Sequence, residues 1–247
     1  MYSLGIRRED KSKWERRVPL NPADVKKLIE KHGIHIVIQP SNIRIYSDQE
    51  YLDAKAEINE DLSSCQVIMG IKEMPSSFFL PGKTYIFFSH TIKGQEHNMP
   101  MLKKMMELGC TLIDYEKITD TQGRRLVFFG RHAGQAGMID TLWALGKRLE
   151  WEGFDTPFSE IHRAYQYEGV DDAKKAISIT GKLLGQAPLP EKLRPMIFGF
   201  AGYGNVSQGA QEIFDVLPTT EIKPGEIKSL AMSDDPPGDR LFKVIFY

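Results

Sequence analysis

Three short apolar runs in this chain each end on a side chain that can exchange a proton. QVIMGI runs into Lys72, KTYIFFS into His90 and CTLIDY into Glu116. An amine, an imidazole and a carboxylate delivered to one rim make a candidate acid/base site. An amine that exchanges protons near neutral pH needs its pKa lowered, which burial and nearby cations can do. Histidine needs little tuning for the same work. A single lysine at a strand end is more often just solvated; the three groups occurring together point to a site.

The elements that must position these groups are legible in the same stretch. Continuous apolar runs of this length suit strands covered on both faces, as in a parallel sheet. In open parallel sheets, ligands gather outside the carboxyl ends of the strands. A Pro81-Gly82 turn separates the first two runs, and a helix from Pro100 to Gly109, with Leu102, Met105 and Met106 inward, separates the second from the third. Upstream, Ser3 to Ile6 reads as a strand opening into the polar loop RREDKSKWERR. Such a loop is usually solvated surface, although the guanidinium groups of Arg16 and Arg17 are suited to bidentate carboxylate binding. Asn21-Pro22-Ala23-Asp24 is a helix start, with a cap, a first-turn proline and an acid at the positive end. Gly33 stops that helix. HIVIQP is the next strand, and a short helix through Asp48 to Ala56 follows. This is the βαβ rhythm of a parallel sheet.

Further on, a Gln122-Gly123 turn and the pair Arg124-Arg125 feed an expected strand ending at Gly130. Helical spacing then runs from Ala133 to Trp151, with the small residues Gly134, Ala136 and Gly137 in its first turn. They permit close backbone approach to a helix or a ligand. Asp171 caps another helix to about Leu184, and GQAPLPEKLRP reads as a Pro-rich linker. Beyond it, the strand MIFGFA enters the turn GYGNVSQGA and a helix. Gly202-x-Gly204-x-x-Ser207 matches a dinucleotide fingerprint with serine at the third glycine and Gly209 two residues later. Backbone amides at such a helix start can hold a pyrophosphate. The expected cofactor contacts are therefore Gly202, Gly204, Asn205, Val206 and Ser207. A ribose partner is expected about 20 residues on. Glu221, Glu226 and Lys223 are the candidates, in a stretch that makes a poor strand.

The chain has 247 residues, 41% hydrophobic and 26% charged, with a formal net charge of −1. That balance leaves no electrostatic footprint for nucleic acid or an anionic membrane. No apolar stretch is long enough to cross a bilayer. Two cysteines, Cys65 and Cys110, show no metal-ligand spacing, and no metal is expected. With no apolar signal core in MYSLGIRRED, the expected setting is reducing and cytoplasmic. The expected fold is α/β: a Rossmann-like parallel-sheet substrate lobe over 1–150, connecting helices and a linker over 151–190, and a truncated start of a second, dinucleotide-binding Rossmann lobe over 191–247.

RREDKSKWERRVPLNP, GIKEMP, YIFFSHTIKGQ, LIDYEKITDTQGRRLVFFGRHAGQAGMID and GNVSQGAQEIF together resemble lysine-forming saccharopine dehydrogenase. More narrowly, they resemble the lysine–ketoglutarate reductase half of aminoadipate semialdehyde synthase, in the alanine dehydrogenase and transhydrogenase superfamily. The resemblance covers nearly the whole chain, and it implies that such a reductase domain continues past this C-terminus. It implies condensation of the lysine ε-amine with 2-oxoglutarate and reduction by NADP or NAD, with NADP favoured. It implies Lys72 and His90 as the acid/base pair and Glu73 and Glu116 as tuning and ammonium-binding groups. Arg17 and Arg125 would take substrate carboxylates, with His132 and Gln135 nearby. Partners would be small molecules, with completion by a homo-oligomer or by a further C-terminal portion. Two other classes remain open: an amino-acid dehydrogenase of the alanine dehydrogenase type, and a non-catalytic binding or regulatory protein.

Overall fold

The computed structural model describes residues 2–247. It comprises two compact units, residues 1–128 and 129–247. The first unit runs β1 (Ser3–Ile6), α1 (Pro22–His32), β2 (His35–Ile38), α2 (Asp48–Asp53), β3 (Glu57–Ile58), β4 (Val67–Met69), β5 (Thr84–Phe87), α3 (Met99–Glu107) and β6 (Thr111–Asp114). Its six strands lie in the order β3-β2-β1-β4-β5-β6, and every pairing is parallel. The chain winds outward from β1 to β3, then returns to lay β4 on the other side of β1. That reversal makes a topological switch point between β1 and β4, where open α/β sheets form a crevice beyond the strand ends.

Period-two alternation explains why both faces are buried. Ile36 and Ile38 of β2 join Val25 of α1 and Tyr51 of α2 on one face. Val37 between them joins Ile68, Tyr85, Met101 and Met105 on the other. Helix α1 begins as its residues require: the Asn21 side chain accepts from the Asp24 amide, Pro22 fills the first turn, and Gly33 closes it in the left-handed region at φ 63°. Helix α3 turns Met101 and Met105 inward at i, i+4 spacing, whereas Met106, expected inward, is 73% exposed.

The second unit runs α4 (Gly130–Trp151), α5 (Val170–Gln186), β7 (Ile197–Ala201), α6 (Asn205–Phe214), β8 (Thr219–Ile222), α7 (Ile227–Ala231) and β9 (Leu241–Phe246). Its strands lie in the order β7-β9-β8, all parallel. Met138, Ile139, Leu142 and Leu149 of α4 share its core with Ile177, Phe200, Ile213 and Phe214. Glycine lets α4 and α6 touch backbone to backbone. A Cβ on Gly134 would stand 1.9 Å from the Val206 carbonyl oxygen, and one on Gly209 would stand 2.0 Å from that of Arg131.

Four expectations change. No strand forms from Leu126 to Gly130: an isolated Thr119–Arg125 bridge closes the turn, and α4 begins at Gly130 rather than Ala133. The division falls at Phe128/Phe129, earlier than 150, because the apolar stripe of α4 is spent on the second unit's core. The Pro-rich stretch is docked rather than loose, since Leu189 is buried in that core and its amide donates to the Gly238 carbonyl. The poor strand at Thr219–Ile222 does pair, along β9.

Candidate active site

Lys72, His90 and Glu116 follow the carboxyl ends of β4, β5 and β6 on the first unit's sheet. Parallel pairing of these neighbours places the three ends along one edge. Glu73 is the hub. Its side chain is 10% exposed. Its Oε1 lies 2.8 Å from His90 Nδ1 and accepts from Asn98 Nδ2 at 3.3 Å. Its Oε2 pairs with Lys11 Nζ at 2.6 Å. Burial alone would push its carboxyl up. The Lys11 bond and charge, its own amide and His90 outweigh that, and hold it down at about 2. His90 is held in the left-handed region at φ 50°, sparsely populated by non-glycine residues and enriched at functional sites. Its ring lies nearly parallel to that of Phe88, 17° off, with centroids 6.2 Å apart.

The loop after β1, expected as solvated surface, instead folds Glu9 and Glu15 inward, while Asp10 stays exposed. Glu9 is buried, and its two oxygens accept from consecutive backbone amides, Ile71 at 2.7 Å and Lys72 at 3.1 Å. Burial raises the Glu9 carboxyl above its ordinary value, against the pull of those amides and of Arg7. Glu15 is also buried and takes a bidentate fork from Arg17, at 2.7 Å from Nε and 2.6 Å from Nη2. Burial pushes Glu15 up, but Arg17 and the field of Lys72 carry it below the usual carboxylate range. The Lys72 ammonium itself makes no hydrogen bond or ion pair among the described residues.

Glu116 and Arg125 form a separate pair at 3.1 Å. The Glu116 amide donates to Asp114 Oδ1 at 2.8 Å, and Asp114 Oδ2 accepts from the Ser89 hydroxyl. His132 and Gln135 belong to α4 in the second unit, where Gln135 donates to Glu212 at 3.0 Å and lies 3.2 Å from His132 Nδ1. Glu9, Glu15, Lys11 and Asn98 were not singled out from sequence. The signal was weak, since Glu9 is buried only through amides 62 and 63 residues away.

The depressed Glu73 carboxyl has a consequence for stability. Its folded pKa lies below the unfolded value of about 4.3, so the unfolded state binds more protons between the two. The stabilisation is complete above about pH 4.5 and is lost as pH falls towards 2. Glu73→Gln is expected to remove that slope, on the order of 2–3 kcal/mol across the window. Urea unfolding at stepped pH reads it, and equal slopes in parent and variant would contradict the assignment.

In the second unit, the glycine-rich turn fits a pyrophosphate. Gly202 follows β7 with φ 78°, where a side chain would be strained. Gly204 caps α6 in extended geometry, with no side chain bonded to the first amides and open space where its Cβ would be. Asn205, Val206 and Ser207 form the first turn of α6. The ribose candidates do not fit. Glu221 lies on β8 and Lys223 and Glu226 follow it, whereas the strand beside β7 is β9. Glu221 instead faces Lys243 at 3.4 Å, and Glu226 accepts from the Lys223 amide at 2.6 Å. Among the described residues, no cluster of His, Cys, Asp or Glu could hold a metal ion, and no helix is long and apolar enough to cross a membrane.

Residues 5–136 match the family model described as alanine dehydrogenase/PNT, N-terminal domain. The alpha-aminoadipic semialdehyde synthase of Arabidopsis thaliana is 43% identical over 94% of this chain and 22% of its own length. The mitochondrial protein of that name from Bos taurus is 43% identical over 94% of this chain and 25% of its own. This chain thus spans about a quarter of the length of these relatives. The NAD(+), L-lysine-forming saccharopine dehydrogenase of Yarrowia lipolytica is 34% identical over 54% of this chain and 37% of its own length. Among solved structures, an L-alanine dehydrogenase shares the fold at a TM-score of 0.59 and 18% identity, over 97% of this chain and 60% of that one.

Proposed function

Since this chain belongs to the alanine dehydrogenase/PNT N-terminal domain family, we propose that it carries the substrate site and the opening of the cofactor lobe of a lysine–2-oxoglutarate reductase. The observation that carries the reading is the Lys72–Glu73–His90 arrangement at the ends of adjacent parallel strands, with Glu73 bonded to His90. The names of the relatives supply the reaction class. The ε-amine of lysine adds to the keto carbon of 2-oxoglutarate, water leaves, and reduction of the resulting C=N bond yields saccharopine; the reverse direction oxidises and hydrolyses it.

Addition takes a proton off the amine nitrogen and puts one on the carbonyl oxygen, and loss of water needs that oxygen protonated again. Lys72 and His90 move these protons. Glu73 keeps its charge throughout and orients the His90 ring through Nδ1, leaving Nε2 for substrate. Arg17 and Arg125 bind substrate carboxylates, which must share or displace Glu15 and Glu116 from their guanidinium groups. Glu116, once released, suits an ammonium group. The amides of Gly202, Gly204, Asn205, Val206 and Ser207 would hold the pyrophosphate of NADP or NAD, which when bound in its reduced form would supply the hydride. An expected cytoplasmic setting stands beside the word mitochondrial in the name of the Bos taurus relative; both compartments suit free thiols at Cys65 and Cys110.

The test pairs calorimetry with kinetics. Saccharopine is expected to bind the chain, and NADPH oxidation is expected only when lysine and 2-oxoglutarate are both present. Binding of neither substrate nor saccharopine would overturn the reading. Oxidation with pyruvate and ammonia instead would move it to an alanine dehydrogenase.

A further inference from the structure

We propose that Glu9 is a positioning residue for the Lys72 amine: its carboxylate clasps the two consecutive backbone amides of the segment that carries the amine. The inference rests on the acid/base reading of Lys72 and goes beyond it, because nothing in the proposed chemistry requires Glu9.

Three observations carry it. The first is the double bond from one carboxylate to consecutive amides, Ile71 and Lys72. Strand pairing ends just before this point. Met69 is the last residue of β4 paired with β5, and Gly70 still donates to the Ile86 carbonyl. Beyond it, the Ile71 carbonyl still accepts from the Phe88 amide at 3.0 Å, but the amides of Ile71 and Lys72 find their acceptor in Glu9, so the donors of the segment carrying the amine are held by a side chain. The second is fit. A Cβ on Gly70 would meet Met74 Cε at 2.8 Å and Glu9 Oε1 at 3.4 Å, so the carboxylate is seated against a residue without a side chain. The third is cost. A buried carboxylate is expensive unless its oxygens are bonded, and only a carboxylate satisfies two parallel N–H donors with two acceptors. An amide side chain would turn a donor towards one of them.

The groups facing Glu9 are Arg7, Glu15, Arg17 and Tyr115. Tyr115 is buried, and its hydroxyl has no hydrogen-bond partner among the described residues. Burial and the Glu9 charge push that hydroxyl upward, keeping it protonated. Lys72 faces Glu15, and the Lys11–Glu73–His90 network follows it in the chain.

The test uses the full chain with two readouts that need no turnover. One is amide hydrogen exchange at Ile71 and Lys72. The other is the rate of Lys72 acylation by acetic anhydride at one fixed pH, relative to that of the exposed Lys182, read by peptide mass spectrometry. In Glu9→Gln the two amides are expected to exchange at least tenfold faster, with Ile68 in β4 within threefold of the parent. A loosened segment lets the amine leave its place at the strand end, so the relative acylation rate of Lys72 is expected to change threefold or more. Glu9→Asp keeps both acceptors on a shorter arm; exchange and relative acylation are expected to move in the same direction as in Glu9→Gln, but less.

Parental exchange and acylation in Glu9→Gln would overturn the proposal, as would faster exchange with an unmoved relative acylation rate, which is a purely structural role. Should the variants not fold, the native chain serves. As acidification protonates Glu9, protection at Ile71 and Lys72 is expected to fall before that of Ile68, and simultaneous loss would count against it. An absence of substrate binding would sink the functional reading and leave these outcomes standing.

Discussion

Lys72→Met is expected to cut lysine- and 2-oxoglutarate-dependent NADPH oxidation by at least ~100-fold, because a positioned proton-transfer group typically contributes ~10²–10⁴-fold. Methionine keeps most of the length and apolar stem of lysine and removes the amine. The ammonium has no bond or ion pair among the described residues, so no partner is left buried and uncompensated. The circular dichroism spectrum should stay parental, and saccharopine affinity should move by no more than about tenfold, within the cost of one hydrogen bond to a charged group. The neighbouring acid should respond instead. The field of Lys72 helps to hold the Glu15 carboxyl down, so Glu15 should titrate at higher pH in the variant. Turnover within a few-fold of the parent would remove Lys72 from the chemistry. An unfolded variant would be read through Lys72→Arg, which keeps the charge but holds its proton at any working pH.

Gly134→Ala is expected to be the most damaging single methyl in the second unit. Alanine in place of a helical glycine ordinarily adds ~1 kcal/mol of helix stability. At Gly134 the added carbon would stand 1.9 Å from the Val206 carbonyl oxygen and 2.8 Å from the Ala210 amide nitrogen. Both are backbone atoms, so relief means moving α6 off α4 rather than turning a side chain. Overpacking of this kind costs ~1–3 kcal/mol and sometimes more, and here it should exceed the propensity gain by about 2 kcal/mol. At this chain length, each kcal/mol corresponds to roughly 2–4 °C in melting temperature. Gly137→Ala, one turn on, is the control. Nothing lies within 4 Å of its added carbon, so it should raise stability. Equal effects at the two positions would mean that helix contact does not decide the outcome.

Lys72 and His90 were legible because each follows an inner parallel strand, and such strands announce themselves as unbroken apolar runs; Glu116 follows β6, an edge strand with Ile113 40% exposed, whose apolar run gave the same signal. The glycine turn at Gly202 and Gly204 was legible because a strand, a left-handed glycine and a helix start are local events. Glu9 and Glu15 were not, since they sit in a loop whose composition is that of solvated surface. Their burial depends on where β4 returns in the sheet, which no local pattern encodes. The same holds for β8. Thr219–Ile222 lacks a strand's apolar pattern and is ordered by β9, some twenty residues later. The stretch after Arg125 failed in the opposite way: LVFF has strand composition but no neighbour to pair with, so tertiary context overrode propensity.

The position of β1 also bears on how this chain is made. Leu4 pairs with Ile36 on one side and with Val67 on the other. At ~5–20 residues per second, a ribosome takes roughly 3–12 s to travel from the first of these residues to the last. For that interval one flank of the nascent β1 has no neighbour, although Gly5 and Ile6 are buried in the finished sheet. Slow codons or a stalled ribosome before Val67 would lengthen the time its backbone donors and acceptors on that side stay unpaired. The earliest residues of the lobe are thus among the last to be secured.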